Sequence, residues 1–163
     1  MAATRLVGGS IEDATGRPDH PIYENEHAVE RVRAAAEVAR TLPFAFTLTG
    51  RAENYLHDRP DLRDTIKRLQ AYQMAGADVL YAPGLTSKDD IVVVVSFVER
   101  PVNVVMGLQG VQLSLAVFSA IGVRRVSVGS GLSRAAREMR EHETFAFAEE
   151  AVSYRDISGM FTA

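Results

Sequence analysis

The sequence predicts an α/β protein built on a parallel sheet. Five short β-branched runs alternate with helical stretches, starting near residues 6, 45, 78, 102 and 125, and the last two spacings are about 23 residues, the size of a compact βα unit. Two of the units also share one grammar. AGADVLY and AIGVRRVSV each run from a small helix end through glycine into a β-branched strand.

The elements follow in order. RLVGGSIE reads as the first strand and NEHAVERVRAAAEVARTL as the first helix, with Ala28, Val32, Ala35, Ala36 and Ala39 at helical spacing. Pro43 stops that helix, because proline cannot continue it. FAFTLTG is the second strand. Asp61 caps a second helix carrying Leu62, Ile66, Leu69 and Tyr72 on its apolar side, and Gly76 stands where a helix terminates. ADVLYA is the third strand. Ser87 with Asp90 three residues on marks a helix start. Val92 to Val95 have strand propensity, but PVNVVMG follows too soon for both to be strands, so the first is assigned as helix. VQLSLAVFSAIG is a helix closed by Gly122, RRVSVGS the fifth strand, and LSRAAREMREHETFAFAEEAV a long helical region with a break expected near His142.

With 163 residues and no composition break, one domain over residues 1–163 is expected. A net charge of −3 gives no general attraction to nucleic acid or anionic membrane. The absence of cysteine excludes disulfides, thiolate zinc sites and cysteine nucleophiles within this chain. No signal-peptide pattern opens it, and its longest apolar run, IVVVVSFV, is too short to span a bilayer. A cytoplasmic protein is expected.

Parallel α/β sheets place their chemistry at the C-terminal ends of strands. Those ends offer Glu12 and Asp13, then Thr49, Arg51 and Glu53, then Tyr81, then Asn103, then Ser127, Ser130, Gly129 and Gly131. On an extended strand Glu12 and Asp13 face opposite sides. Carboxylates suit a hard cation such as Mg²⁺, directly or through water, and equally a cap or ion pair. Arg51 suits a carboxylate or phosphonate gripped by two parallel hydrogen bonds, or a salt bridge to Glu12, Asp13 or Glu53. The stretch from Ala14 to Asn25 reads either as a lid or as an irregular surface excursion. VGSGLS lacks the last glycine of a dinucleotide loop and reads as a tight turn or a small anion site. His20, His27, His57 and His142 show no zinc spacing, and no GxSxG, Walker or kinase motif is present.

GGSIEDATG, FTLTGRAENYL, RLQAYQMAGADVLYAPGL, RPVNVVMG and IGVRRVSVGSGLSRAA, in that order, resemble the isocitrate lyase and phosphoenolpyruvate mutase superfamily over nearly the whole chain. The resemblance implies a (β/α)₈ barrel that makes or breaks C–C or P–C bonds beside a carboxylate, with Mg²⁺ and small oxyacid substrates such as 2-oxo or phosphono acids. It implies that Glu12 contacts Mg²⁺ through water; Asp13 is a weaker metal candidate from its place at the strand end alone. It likewise makes Arg51 the arginine that binds the substrate anion; Asn103, at the end of the fourth strand, is a further substrate-binding candidate. The loop after Asp13 would be the mobile gate, and the protein a homo-oligomer in which the tail, residues 143–163, is exchanged between subunits.

The departures narrow this. GRAE at Gly50–Glu53 replaces the usual ARTD, and Pro83 stands where the lyases carry a glutamate, which disfavours a true isocitrate lyase. The APGL turn resembles a branch with mutase-like or phosphonopyruvate-hydrolase-like members. A barrel needs about 250 residues, whereas this chain supplies about five βα units, its first strand resembling the family's fourth. The aspartates that bind Mg²⁺ directly would lie on earlier strands, so an inactive half-barrel or interaction protein is the alternative expectation. An arc of this kind would leave an apolar edge and an uncovered barrel face, and is expected to be poorly soluble or to pair with another half.

Overall fold

The computed structural model describes residues 6–106 and 113–142. Two compact units divide the chain, Met1–Ser127 and Val128–Ala163. In the first, β1 (Gly8–Glu12), α1 (Asn25–Arg40), β2 (Thr47–Arg51), α2 (Leu62–Ala75), β3 (Val79–Tyr81), α3 (Lys88–Phe97), β4 (Val102–Val105), α4 (Leu115–Ala120) and β5 (Arg125–Ser127) alternate without exception. The strands form one sheet in the order β1-β2-β3-β4-β5, every adjacent pair parallel. Sequential order distinguishes this sheet from a doubly wound one, whose order reverses at a switch point. It is the winding of a (β/α) barrel, of which five strands are present.

The caps form as their residues require. Asp61 and Ser87 each accept from the backbone N–H three residues on, opening α2 and α3, and Ser114 does the same for α4. The valine run at 92–95 is helical, its Ile91 and Val94 buried. β1 and β2 are shorter than their apolar runs, because pairing starts only where Thr47 N–H donates to the Val7 carbonyl.

Each strand has two unlike faces, since successive side chains alternate. The outer face carries Leu48, Leu80, Val102 and Val104, and packs with Val32, Leu69, Ile91 and Phe118 of the four helices into one core. The inner face is the polar one. Glu12, Arg51, Tyr81, Asn103 and Arg125 are register partners from strand to strand and form a single row across it. Val79 and Val105 also lie on this face, so among the described residues it is mostly but not wholly polar.

The segment between β1 and α1 folds into a small pinned excursion. Ala14 and Ile22 form an antiparallel bridge, Thr15 N–H donates to Pro21 O at 2.8 Å, and Tyr23 N–H donates to Asp13 O at 2.8 Å. Its exposed tip holds an Arg17–Asp19 ion pair at 2.6 Å.

In the second unit, α5 (Gly131–His142) follows a turn in which Gly129 adopts φ +50°, the left-handed region that favours glycine. The VGSGLS glycines thus serve a strand-to-helix turn. An Arg137–Glu141 pair at 2.7 Å lies along α5. The anticipated tail at 143–163 lies outside the described residues. Among the described residues no helix is long and apolar enough to cross a membrane.

Candidate anion-binding site at the strand ends

Glu12 and Arg51 end their strands as direct register partners. Arg51 Nη1 lies 3.5 Å from Glu12 Oε2. The tighter partner is Glu53, whose Oε1 accepts from Arg51 Nε at 2.8 Å and lies 2.7 Å from Nη2. The Arg51 guanidinium also lies over the Tyr81 ring, 5.0 Å from its centre. Glu53 therefore takes the side edge of the guanidinium and the phenol supports its plane. On the end-on edge, Nη1 makes no hydrogen bond among the described residues, although it stands 3.5 Å from the Glu12 carboxylate. A planar fork fixed in this way suits bidentate recognition of a carboxylate or phosphonate. Of the three salt-bridge partners open to Arg51 in the sequence, Glu53 and Glu12 are realised and Asp13 is not.

Asp13 faces the opposite way and is 1% exposed. Its Oδ1 accepts from the Glu53 N–H at 2.7 Å. Its Oδ2 accepts from Tyr72 Oη at 2.6 Å and from Arg68 Nη1 at 3.0 Å. Arg68 Nη1 also donates to the Tyr23 carbonyl, and its Nε donates to Asp64. One buried carboxylate thus joins the β1 tip, the turn after β2, helix α2 and the neck of the loop. Asp13 is occupied by these partners and presents no free oxygen to a cation. Asp64, Arg68 and Tyr72 stand four residues apart on α2, but Tyr72 reads from the sequence as part of the apolar side, so the stripe does not show there.

Burial sets the electrostatics. Glu53 is raised from 4.5, first by burial and further by the Glu12 and Asp13 charges, against the pull of the Arg51 cation and hydrogen bond. Burial and then the Asp13 charge push the Tyr72 phenol well up. Burial draws Arg68 down, but its Asp64 hydrogen bond and neighbouring charges outweigh this and leave it raised.

The remaining sequence candidates fall around this centre. Asn103 is buried, and its amide donates to Ser127 Oγ at 3.2 Å and accepts from Arg125 Nη1 at 3.4 Å. Thr49 is buried on the inner face. His57 lies in a 3₁₀ turn at Asn54–His57, and His27 packs against Tyr23 at 4.8 Å. His20 is exposed at the loop tip. Arg125 did not stand out in the sequence, because the face it occupies is fixed only by the register of β5.

Mg²⁺ favours an octahedron of oxygens. The described residues contain no group of three or more His, Cys, Asp or Glu able to hold a metal. Glu12 alone at the strand ends keeps a half-exposed carboxylate, so these residues can offer an outer contact but do not by themselves hold the ion.

A parallel sheet wound in sequence, with an acid and an arginine paired at its C-terminal edge, is part of a (β/α) barrel. The sequence profile of phosphoenolpyruvate phosphomutase matches residues 1–147, and the chain belongs to that family. A putative lyase/mutase from Burkholderia cenocepacia J2315 is 58% identical, with a TM-score of 0.81, covering 99% of this chain and 61% of that one. A putative phosphonomutase from the same organism is 27% identical, with a TM-score of 0.72, covering 82% of this chain and 54% of that one. A phosphonopyruvate hydrolase in complex with oxalate and Mg²⁺ shares the fold at 22% identity and a TM-score of 0.67, covering 95% of this chain and 58% of that one. The chain thus spans at most 61% of these three structures. Comparison with curated proteins gave no match.

Two predictions follow from the charges. Arg68→Met leaves the buried Asp13 carboxylate without its cation and is expected to cost about 3–5 kcal/mol in urea unfolding. Glu53 holds its proton more tightly folded than unfolded, so its contribution to stability is full below the unfolded value of 4.5 and falls as pH rises through the window above it. Paired melts should therefore show wild type gaining on Glu53→Gln as pH is lowered from neutrality to that value.

Proposed function

We propose that the whole protein is a Mg²⁺-dependent lyase, hydrolase or mutase. It would cleave or form a C–C or P–C bond in a small 2-oxo, carboxylic or phosphono acid, through an enolate-like intermediate. The observation that carries this reading is the Glu12–Arg51 pair at the C-terminal ends of β1 and β2, in a chain whose family profile spans residues 1–147.

What this chain contributes is anion recognition. Arg51 offers its end-on fork to an oxyanion of the substrate. Glu53 holds the side edge of the same guanidinium, and Tyr81 carries its plane, so the fork is oriented before the ligand arrives. Glu12 is the residue that would reach Mg²⁺ through a bound water, and the ion would supply charge stabilisation to the substrate oxygens. Asn103, one strand beyond Tyr81 and bonded to Ser127 and Arg125, would be a further contact to the substrate. The loop at Ala14–Asn25, pinned at its neck and exposed at its tip, is the element that would close over the ligand. The protein would act as a homo-oligomer.

The second reading, a non-catalytic half-barrel or interaction protein, draws on the lack of a three-ligand metal cluster among the described residues. Titration of the whole protein with Mg²⁺ and oxalate, watched by thermal shift, separates the two. Stabilisation that needs both components favours the enzyme, and an unchanged melt favours the half-barrel. In the active protein, assayed against a panel of 2-oxo and phosphono acids, Arg51→Lys should lower kcat/KM by on the order of 10²-fold, because a fork becomes a point charge. Near-normal turnover would reduce Arg51 to a structural partner of Glu53.

A further inference from the structure

Arg51 is not the sole guanidinium on the inner face. Arg125 opens β5 in the same register row, three strands away, and shares that face with Arg51, Tyr81 and Asn103. The two arginines differ in what they already hold. Arg51 gives its Nε and Nη2 to Glu53 and stands beside Glu12. Arg125 is exposed, and among the described residues its one hydrogen bond is the long 3.4 Å contact from Nη1 to Asn103 Oδ1. Of the five N–H donors on a guanidinium, four are therefore open. Its one partner is a neutral amide, and no carboxylate among the described residues forms an ion pair with it.

Between the two arginines stands Tyr81. Its ring carries Arg51, and its hydroxyl makes no hydrogen bond among the described residues. Burial raises the phenol, and the charges of Arg51 and Arg125 both oppose that rise, so both cations are felt at one side chain. Asn103 and Ser127 add an amide and a hydroxyl beside Arg125. The row is also slanted. It runs from the last residues of β1, β2 and β3 to the first residue of β5, as the stagger of a barrel sheet requires. Arg125 therefore lies deeper along the strands than Arg51.

We propose that Arg125 is a second anion-binding residue on the inner face, taking the far charged end of a two-ended acid whose near end rests on Arg51. This rests on the proposed function above and extends it. The ligand lies along the row with one anionic group at the strand ends and the other below Tyr81, so Arg125 selects acids with two charged ends over those with one. No bond is made or broken by Arg125 in this role; it acts through affinity and orientation.

Binding measured by calorimetry or NMR titration of the chain tests this, with phosphonoacetate as the two-ended probe and acetate as the one-ended probe. Arg125→Gln is expected to weaken phosphonoacetate by about tenfold or more while acetate stays within about twofold of wild type, and Arg125→Lys should recover part of the loss. Arg51→Gln is expected to weaken both probes. Parallel thermal melts identify any variant that fails to fold, and Arg125→Lys then carries the comparison. If Arg125→Gln leaves phosphonoacetate unchanged while Arg51→Gln weakens it, the second site is overturned and the proposed function stands. If Arg125→Gln weakens both probes equally, Arg125 acts as a general field and the proposal is overturned. If Arg51→Gln is without effect, the near-end anchor is lost, and the two-ended binding is overturned together with the role of Arg51. If wild type binds neither probe, both readings fall.

Discussion

The structure depends on one buried carboxylate. Asp13 is held by the Tyr72 hydroxyl, the Arg68 guanidinium and the Glu53 backbone N–H, and each contact ties a different segment to the tip of β1. A carboxylate at 1% exposure is tolerable only when its oxygens are paired, so the three donors must be in place together. Meeting that requirement fixes where Glu53 leaves β2. Glu53 in turn fixes the plane of Arg51. The orientation of the half-exposed guanidinium on the inner face is therefore set by a charge on the outer one.

Strand alternation divides the labour between the faces. Outward residues of β2, β3 and β4 are apolar and fill the core beneath the helices. Inward residues carry the charges and hydroxyls. A sheet whose strands are apolar throughout would be buried on both sides, but here period-two alternation survives in a parallel sheet, with Thr49, Arg51, Tyr81 and Asn103 on the side away from the helices. Glu12 and Asp13 show the division at its sharpest. They are neighbours in sequence, yet one is half-exposed beside Arg51 and the other is sealed against α2.

Local signals were legible in the sequence. Helical spacing in α1, the caps Asp61 and Ser87 and the alternation of strands with helices all arise from interactions within a few residues, and each took its expected form. The pairing of Glu12 with Arg51 was legible because parallel strands bring their C-terminal ends together. What stayed hidden is non-local. Arg68 and Tyr72 lie 55 and 59 residues from Asp13, and nothing in either neighbourhood announces the other. Leu62 and Leu69 marked α2 as apolar and obscured its polar stripe. Arg125 required the β4–β5 register, which a three-residue strand cannot reveal alone.

Gly50 carries a consequence for how this sequence can drift. A Cβ built at Gly50 would lie 3.0 Å from the Tyr72 Cβ and 3.3 Å from that of Ala77, closer than side chains normally approach. The alanine found there in sequences of the ARTD pattern would press on Tyr72, whose hydroxyl Asp13 needs. Positions 50 and 72 are thus expected to covary among close relatives, with glycine accompanying the tyrosine and alanine accompanying a residue that leaves more room.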